Sequence, residues 1–247
     1  MLSLPSDDGK ITAEQIRNTA QEHLDDVTHE HIAQPKMVYI SQPTEFGTIY
    51  TLQELDNISA VCKKYGLYLF VDGARLGYAL HAADNDVTLA DLARLADVFY
   101  IGGTKVGAMF GEAVVISNSA IAEDFRYIIK QRGAMLAKGW LLGAQFEALF
   151  KDDLYGTIAG YANRLADKLR DTLTDLGYPI TVQCRTNQVF TVLPNKMLNI
   201  LEKDFSFAPW GTVDAEHTAV RFCTCWATKE EDLDALCIAL IKTSGGF

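Results

Sequence analysis

A set of short, continuous apolar runs separated by helix-length segments constrains this chain more than any other feature. Lys36 to Ser41 (KMVYIS), Leu67 to Val71 (LYLFV), Val98 to Ile101 (VFYI) and Ala113 to Ile116 (AVVI) each have the length and composition of a buried strand. Between the first two runs, Thr51 and Glu54 have the spacing of a capping box. They predict a helix that continues to about Tyr65 and stops at Gly66. Before the third run, Thr88 predicts the cap of a short helix ending near Leu95. Strand, helix, strand, helix, strand is the βαβ pattern. Because the strands are apolar throughout, an α/β fold is expected, with a mainly parallel sheet covered by helices on both faces. Ligands in such sheets bind beyond the carboxyl ends of the strands.

The pattern changes further along. From Ser119 to about Leu176 it is helical, with breaks near Gly133 and over Asp152 to Gly156. Leu165, Leu169, Leu173 and Leu176 form one apolar stripe, and Gly177-Tyr178-Pro179 closes the helix that carries them. Gln188 to Leu193 reads as a strand, Lys196 to Lys203 as a short helix and Val220 to Thr224 as another strand. Thr228 and Glu231 are spaced as a second capping box opening a final helix. The expected organisation is a large α/β domain over 1–155 and a small C-terminal α+β subdomain over 156–247.

Charge and cysteine content narrow the classes of function. With 32 acidic and 22 basic residues the net charge is -10, which argues against a broad nucleic-acid or anionic-membrane surface. No apolar stretch approaches a membrane span, and Met1 to Asp8 lacks the basic start and apolar run of a signal peptide. A soluble, cytoplasmic protein is expected. Cys62, Cys184, Cys223, Cys225 and Cys237 are scattered, and the close pair Cys223-x-Cys225 has no second pair to complete a zinc site. Buried, reduced thiols and no metal are expected.

The chemistry converges on two strand ends. LYLFV runs into Asp72-Gly-Ala-Arg75, and VFYI runs into Gly102-Gly-Thr-Lys105. Each strand delivers a charged residue to the same sheet edge. A pyridoxal phosphate site requires such a pair: a lysine that condenses with the aldehyde, and a carboxylate that keeps the pyridine nitrogen protonated so that the ring withdraws electrons. Such a lysine must be partly desolvated or near positive charge to offer a neutral amine at pH 7. Gly102 and Gly103 permit a tight turn, and the Thr104 hydroxyl can donate to a phosphate. No G-x-x-x-x-G-K-[ST] occurs, so this is not a nucleotide phosphate loop. Spacing alone leaves alternatives open: a lysine after a turn is commonly a solvated surface residue, and an aspartate ending a strand commonly a turn or cap residue.

The segments LYLFVDGARLGYAL and DVFYIGGTKVGAMFGEAVVIS resemble the threonine aldolase and aromatic β-eliminating lyase family of fold-type-I pyridoxal phosphate enzymes. The chain looks most similar to the low-specificity threonine aldolases, and the resemblance covers nearly its whole length. It implies that Lys105 is the cofactor lysine and Asp72 the acid on the pyridine nitrogen. It implies that Arg75, of D-G-A-R, approaches both the cofactor and the substrate carboxylate, and that Arg221, in V-R-F-C-T-C-W, fixes that carboxylate. Lys138, in A-M-L-A-K-G, falls near a basic residue that the family aims at the phosphate. The implied reaction is cleavage of β-hydroxy-α-amino acids of the threonine and allo-threonine type to glycine and an aldehyde, in a homodimer or homotetramer. β-Elimination or decarboxylation of another amino acid is the enzymatic alternative. His23, His29 and His31 read as capping or solvated residues, and His81 and His217 show no partner in sequence.

Family chains carry a further segment ahead of the point that Met1 matches, with a glycine-threonine phosphate loop and a histidine that stacks on the cofactor ring. Without these, weakened cofactor affinity and little or no activity are expected of the 247 residues. A third reading, from a different class, is a non-catalytic remnant or assembly partner.

Overall fold

The computed structural model describes residues 1–245. The helix starts marked at Thr51 and Thr88 form where they were expected. A capping box that was not marked, Thr12 with Gln15, opens α1 (Ala13–Asp25), which leads by a short loop to β1 (Met37–Ser41). Thr51 with Glu54 opens α2 (Leu52–Tyr65), and Gly66 ends it in the left-handed region at φ 64°. Then come β2 (Tyr68–Asp72), the single-turn α3 (Leu76–Leu80), α4 (Leu89–Leu95) capped by Thr88 with Asp91, and β3 (Val98–Gly102). β4 (Glu112–Ile116) completes a four-stranded sheet in the order β1-β2-β3-β4. The first three strands are parallel and β4 is antiparallel at the edge, so all three parallel carboxyl ends share one rim.

Helices cover one face of this sheet. Val38, Ile40, Leu69, Val71, Phe99 and Ile101 point into the core made with α1, α2, α3 and α4. On the opposite face Met37, Tyr39, Tyr68 and Val114 are about half exposed. The expectation of helical cover on both faces is therefore met on one. The continuous apolar look of these strands came partly from Tyr39, Tyr68, Phe70 and Tyr100, whose rings share the second face. A tyrosine offers a ring to its neighbours and a hydroxyl to water, so it fits a half-open surface that an aliphatic residue would not.

The stretch after β4 is more broken than its helical pattern suggested. It divides into α5 (Ser119–Ala122), α6 (Phe125–Gln131) and α7 (Trp140–Phe150). Asp124, Asp152 and Asp153 all have positive φ, which aspartate tolerates better than most residues. α8 (Leu154–Asp175) begins immediately after the last two, so Gly156 lies inside the helix rather than in the break. Tyr155, Ala159 and Ala162 of α8 belong to the first core, while Leu165, Ala166, Leu169 and Leu173 belong to a second. One continuous helix thus passes from the first lobe to the second with no intervening linker.

The second lobe packs α8 against a three-stranded antiparallel sheet in the order β5-β7-β6. Its elements are β5 (Gln188–Pro194), α9 (Asn195–Leu201), β6 (Ala208–Thr212), β7 (His217–Cys223) and α10 (Glu230–Ser244). β6 is not apparent in the sequence, because Pro209 and Gly211 interrupt any strand pattern. It survives as an edge strand with an irregular register at those residues. The capping box at Thr228 does not form. Lys229 is the N-cap of α10, and the Thr228 hydroxyl instead accepts from the Cys225 amide at 2.9 Å. All five cysteines are free; Cys62, Cys184 and Cys237 are buried, Cys225 is half-buried, and Cys223 is exposed, contrary to the expectation of burial. Cys223 ends β7 on the face away from the second core.

Candidate active site

β2 and β3 end side by side, and their following turns touch backbone to backbone. A Cβ at Gly73 would lie 1.8 Å from the Tyr100 carbonyl oxygen, and one at Gly102 would lie 2.3 Å from that of Ala74. No larger residue fits either position. The Gly102 amide donates to the Gly73 carbonyl at 2.9 Å. From α8, the buried phenol of Tyr155 donates to the Gly102 carbonyl at 2.8 Å and accepts from the Gly77 amide at 3.0 Å. The Tyr78 phenol donates to the Lys105 carbonyl, and the Gly103 amide donates to Glu112 Oε2 at 2.6 Å. The turns bearing Asp72 and Lys105 are therefore fixed by one network.

Asp72 receives two hydrogen bonds, from the Ala74 amide to its Oδ1 at 2.9 Å and from the Tyr39 phenol to its Oδ2, and the Tyr100 phenol stands near the same carboxylate. Desolvation by burial pushes the Asp72 pKa up, but the Tyr100 and Tyr39 phenols, the Ala74 amide and the nearby charge of Lys105 outweigh it and hold the carboxyl below its ordinary range. Asp72 is thus an anion at neutral pH. Lys105 and Thr104 are exposed, so of the two conditions expected for the lysine, partial desolvation or nearby positive charge, the first is not met. Val106 and Ala108 take the buried positions of that turn, which leaves 104 and 105 outside.

The two arginines occupy the boundary between the lobes. Arg75 donates to Glu45 Oε2 at 2.9 Å. Arg221 donates to Gln188 Oε1 at 3.2 Å, and its guanidinium lies 5.1 Å from the Trp210 ring centre. Gln188 is fully buried, and its Nε2 donates to the Glu45 carbonyl at 3.2 Å. A continuous line, Arg75–Glu45–Gln188–Arg221, therefore crosses from the loop after β1 to β5 and β7. The Thr186 hydroxyl straps the same loop by donating to the Gly47 carbonyl at 2.8 Å. Arg221 Nε is buried and has no hydrogen-bond partner. Glu45, Gln188 and Trp210 were not singled out from the sequence. Glu45 sits in an unpatterned loop, Gln188 looks like an ordinary strand residue, and Trp210 belongs to the hidden strand β6.

Other candidates lie apart from this network. Lys138 is exposed on the approach to α7, and no hydrogen bond or ion pair among the described residues joins it to Asp72, Lys105 or either arginine. His23 is buried in α1, edge-on to His29. His81 Nδ1 lies 3.0 Å from the Gly77 carbonyl, and His217 pairs with Asp214 at 2.9 Å. Among the described residues no cluster of His, Cys, Asp and Glu could hold a metal ion, and no helix is long and apolar enough to cross a membrane.

Known proteins share this sequence and fold. A low-specificity L-threonine aldolase of a Pseudomonas species is 34% identical over 93% of the chain, and one of Pseudomonas aeruginosa is 37% identical over 78%. The chain spans 65% and 55% of these two relatives. The solved structure of Leishmania major threonine aldolase superposes with a TM-score of 0.94 at 44% identity, covering 98% of this chain and 70% of that one. The architecture is that of the fold-type-I pyridoxal phosphate enzymes, as the strand-end motifs implied. The family model described as Beta-eliminating lyase matches residues 2–196, a span that contains both strand-end turns and the whole first sheet, and the chain belongs to that family.

Proposed function

We propose that this chain carries the site of a pyridoxal-phosphate-dependent aldehyde-lyase that cleaves β-hydroxy-α-amino acids of the L-threonine and allo-threonine type to glycine and an aldehyde. The observation that carries the reading is the meeting of an ionised Asp72 and Lys105 on one strand rim, with Arg75 and Arg221 beside it. The relatives' names supply the reaction class.

The residues fit the cofactor. Asp72 is held below its ordinary range by the Tyr100 and Tyr39 phenols, the Ala74 amide and Lys105, which suits it to a protonated pyridine nitrogen. Lys105 makes no ion pair among the described residues, so its amine is open to a carbonyl compound. Lys105, Asp72, Arg75 and Thr104 are the residues proposed to hold the group, with Lys138 as a further cation for its phosphate. When bound, pyridoxal phosphate supplies an electron-withdrawing ring that stabilises negative charge at the substrate's Cα.

The chain's own residues do the remaining work. Arg221 binds the substrate carboxylate. Its neutral partner Gln188 leaves its charge uncancelled, available to an incoming anion. The Trp210 ring backs the guanidinium and limits its orientations. Arg75 is already paired with Glu45, so it adds a donor to the carboxylate more than a free charge. Asp72 would face the pyridine nitrogen of the bound group and supply the negative charge that keeps it protonated.

The proposed assembly is a homodimer or homotetramer in the cytoplasm, as is usual for proteins whose thiols are all free. The half-exposed Met37, Tyr39, Tyr68 and Val114 on the second sheet face support association. The test of the function is a visible spectrum of the 247-residue chain with added pyridoxal phosphate, beside Lys105→Ala, followed by release of glycine from L-threonine. A yellow band in the parent that is lost in Lys105→Ala is expected, weak in keeping with the lowered cofactor affinity expected of these 247 residues, and whatever glycine release the parent shows should be lost with it. A band that persists without Lys105 would overturn the lysine assignment. β-Elimination is the reading that the family model's description favours, and ammonia release from a panel of β-substituted amino acids separates it from aldol cleavage.

A further inference from the structure

The second face of the first sheet carries an arrangement that the proposed reaction does not by itself require. Tyr39 of β1 and Tyr100 of β3 stand on either side of β2, on the same face as Asp72. The Tyr39 ring stacks on Phe70 with centres 5.3 Å apart and planes 7° from parallel, and Phe70 lies 6.2 Å from Tyr100. Phe70 is thus a spacer that holds the two phenols apart at the width of one strand. The Tyr39 hydroxyl donates to the Asp72 carboxylate at the end of β2, and the Tyr100 hydroxyl, from the other flanking strand, stands near the same group. The Ala74 amide holds the carboxylate from behind.

We propose that Tyr39 and Tyr100 are positioning residues, whose phenols fix the Asp72 carboxylate, charged and in a single orientation, for the ring nitrogen of the cofactor. This rests on the cofactor reading above and concerns residues that do not themselves enter the reaction. A carboxylate at the end of a strand is otherwise free to rotate about χ1 and χ2. Two donors from flanking strands remove that freedom and leave the remaining lone pairs directed out of the sheet. A donor also favours the charged form of its acceptor, so the same contacts that orient Asp72 keep it ionised.

The surrounding charges agree with this role. Both phenols stay protonated over the working range. Desolvation, reinforced by Asp72, pushes Tyr39 up to about 12, and Tyr100 is raised further for the same reasons. Lys105, from the turn after β3, favours ionised Asp72, while Glu112 of β4 acts on Tyr100 and keeps it protonated. Phenylalanine could supply the stacking at either position. Only the hydroxyls account for the meeting at Asp72.

The test uses the 247-residue chain with 13C-labelled aspartate carboxyls, titrated by NMR without cofactor. Asp72→Asn identifies the Asp72 signal. Tyr39→Phe, Tyr100→Phe and the double variant keep the rings and remove the hydroxyls. The expected result is a titration midpoint for Asp72 that moves up toward the ordinary carboxylate range in each single variant and further in the double one. Asp97 serves as the internal control of folding, since it accepts from Leu69 and Asn118 at the amino end of β3, the opposite end of the sheet from Asp72. An unmoved Asp72 midpoint, with Asp97 unchanged, overturns the proposal. The second readout is the dissociation constant for pyridoxal phosphate by absorbance, expected to rise about tenfold per lost hydroxyl, as for a hydrogen bond to a charged group. Raised midpoints with undiminished affinity overturn the positioning role. Raised midpoints in a parent chain that shows no cofactor band count against the cofactor reading and leave the tyrosine contacts standing.

Discussion

Tyr155→Phe isolates one hydroxyl at the centre of the site's scaffold. The ring of Tyr155 packs against Gly77 and Phe150, and phenylalanine keeps that packing. What goes is a donor to the Gly102 carbonyl and an acceptor for the Gly77 amide, both in buried surroundings, since Tyr155 is only 3% exposed. A buried backbone N–H left without a partner costs about 1–3 kcal/mol, and the lost bond to the Gly102 carbonyl adds roughly 1 kcal/mol. The expected loss is therefore about 2–4 kcal/mol, or roughly 5–15 °C in Tm for a chain of this size. Urea denaturation and a thermal melt measure it. Tyr65→Phe is the matched control. Its phenol donates to Gln21 at the surface, and its removal should cost less than about 0.5 kcal/mol. Equal stability of the two variants would refute the claim that Tyr155 staples the turns bearing Asp72 and Lys105. A destabilised Tyr155→Phe with unchanged pyridoxal phosphate affinity would confine the staple to stability.

Three other perturbations follow from the same geometry. Gln188→Leu breaks the bonds to Arg221 and to the Glu45 carbonyl without adding charge; KM for an amino acid substrate should rise about tenfold with kcat little changed, because the bond that orients the carboxylate-binding arginine is lost in ground and transition state alike. The lowered pKa of Asp72 contributes stability that is present above its unfolded value and disappears as pH falls through the folded value; Asp72→Asn should flatten the acid side of the stability–pH curve, and an identical curve would show that the carboxylate is not specially held. Gly160 lies within α8 with nothing near the position of an added Cβ; Gly160→Ala should stabilise by about 0.5–1 kcal/mol in urea titration.

How much was readable from the sequence depended on whether the signal was local. Thr51–Glu54 could be read because a capping box is closed by residues three apart, and it forms; Thr88 could be read as a cap, and the structure adds Asp91 as its partner. Thr228–Glu231 had the same spacing and failed, because Thr228 is engaged by the Cys225 amide across a turn that the spacing does not encode. Asp72 and Lys105 were readable because each directly follows an apolar run. Gln188 was not, because its meaning comes from Glu45 and Arg221, neither of which is near it in the chain. The sheet's open face was misjudged for a related reason: a run of tyrosine and phenylalanine is apolar by composition, and only the partners of the hydroxyls show which side faces a core.

The linkage through Gln188 bears on why the site needs both lobes. Arg75 and Arg221 belong to different cores, and like charges brought together at a lobe boundary repel unless something lies between them. Glu45 cancels the first charge, and the neutral amide of Gln188 spaces the second without cancelling it. The outcome is unequal: one arginine is compensated and the other is left partly desolvated, with a free Nε–H. A second full carboxylate in place of Gln188 would compensate both and leave no net attraction for an anion. Gln188→Glu should therefore keep an acceptor for Arg221 and abolish selection for a carboxylate-bearing ligand, while it also loses the Nε2–H that donates to the Glu45 carbonyl across the lobes. Gln188→Leu should loosen Arg221 while keeping its charge. If the two substitutions weakened binding of a free amino acid and its carboxamide in the same proportion, the charge of Arg221 would not be what the site uses. A loss confined to the carboxylate form in Gln188→Glu would show that the fold sets apart one positive charge, by choosing an amide over an acid at a single buried position.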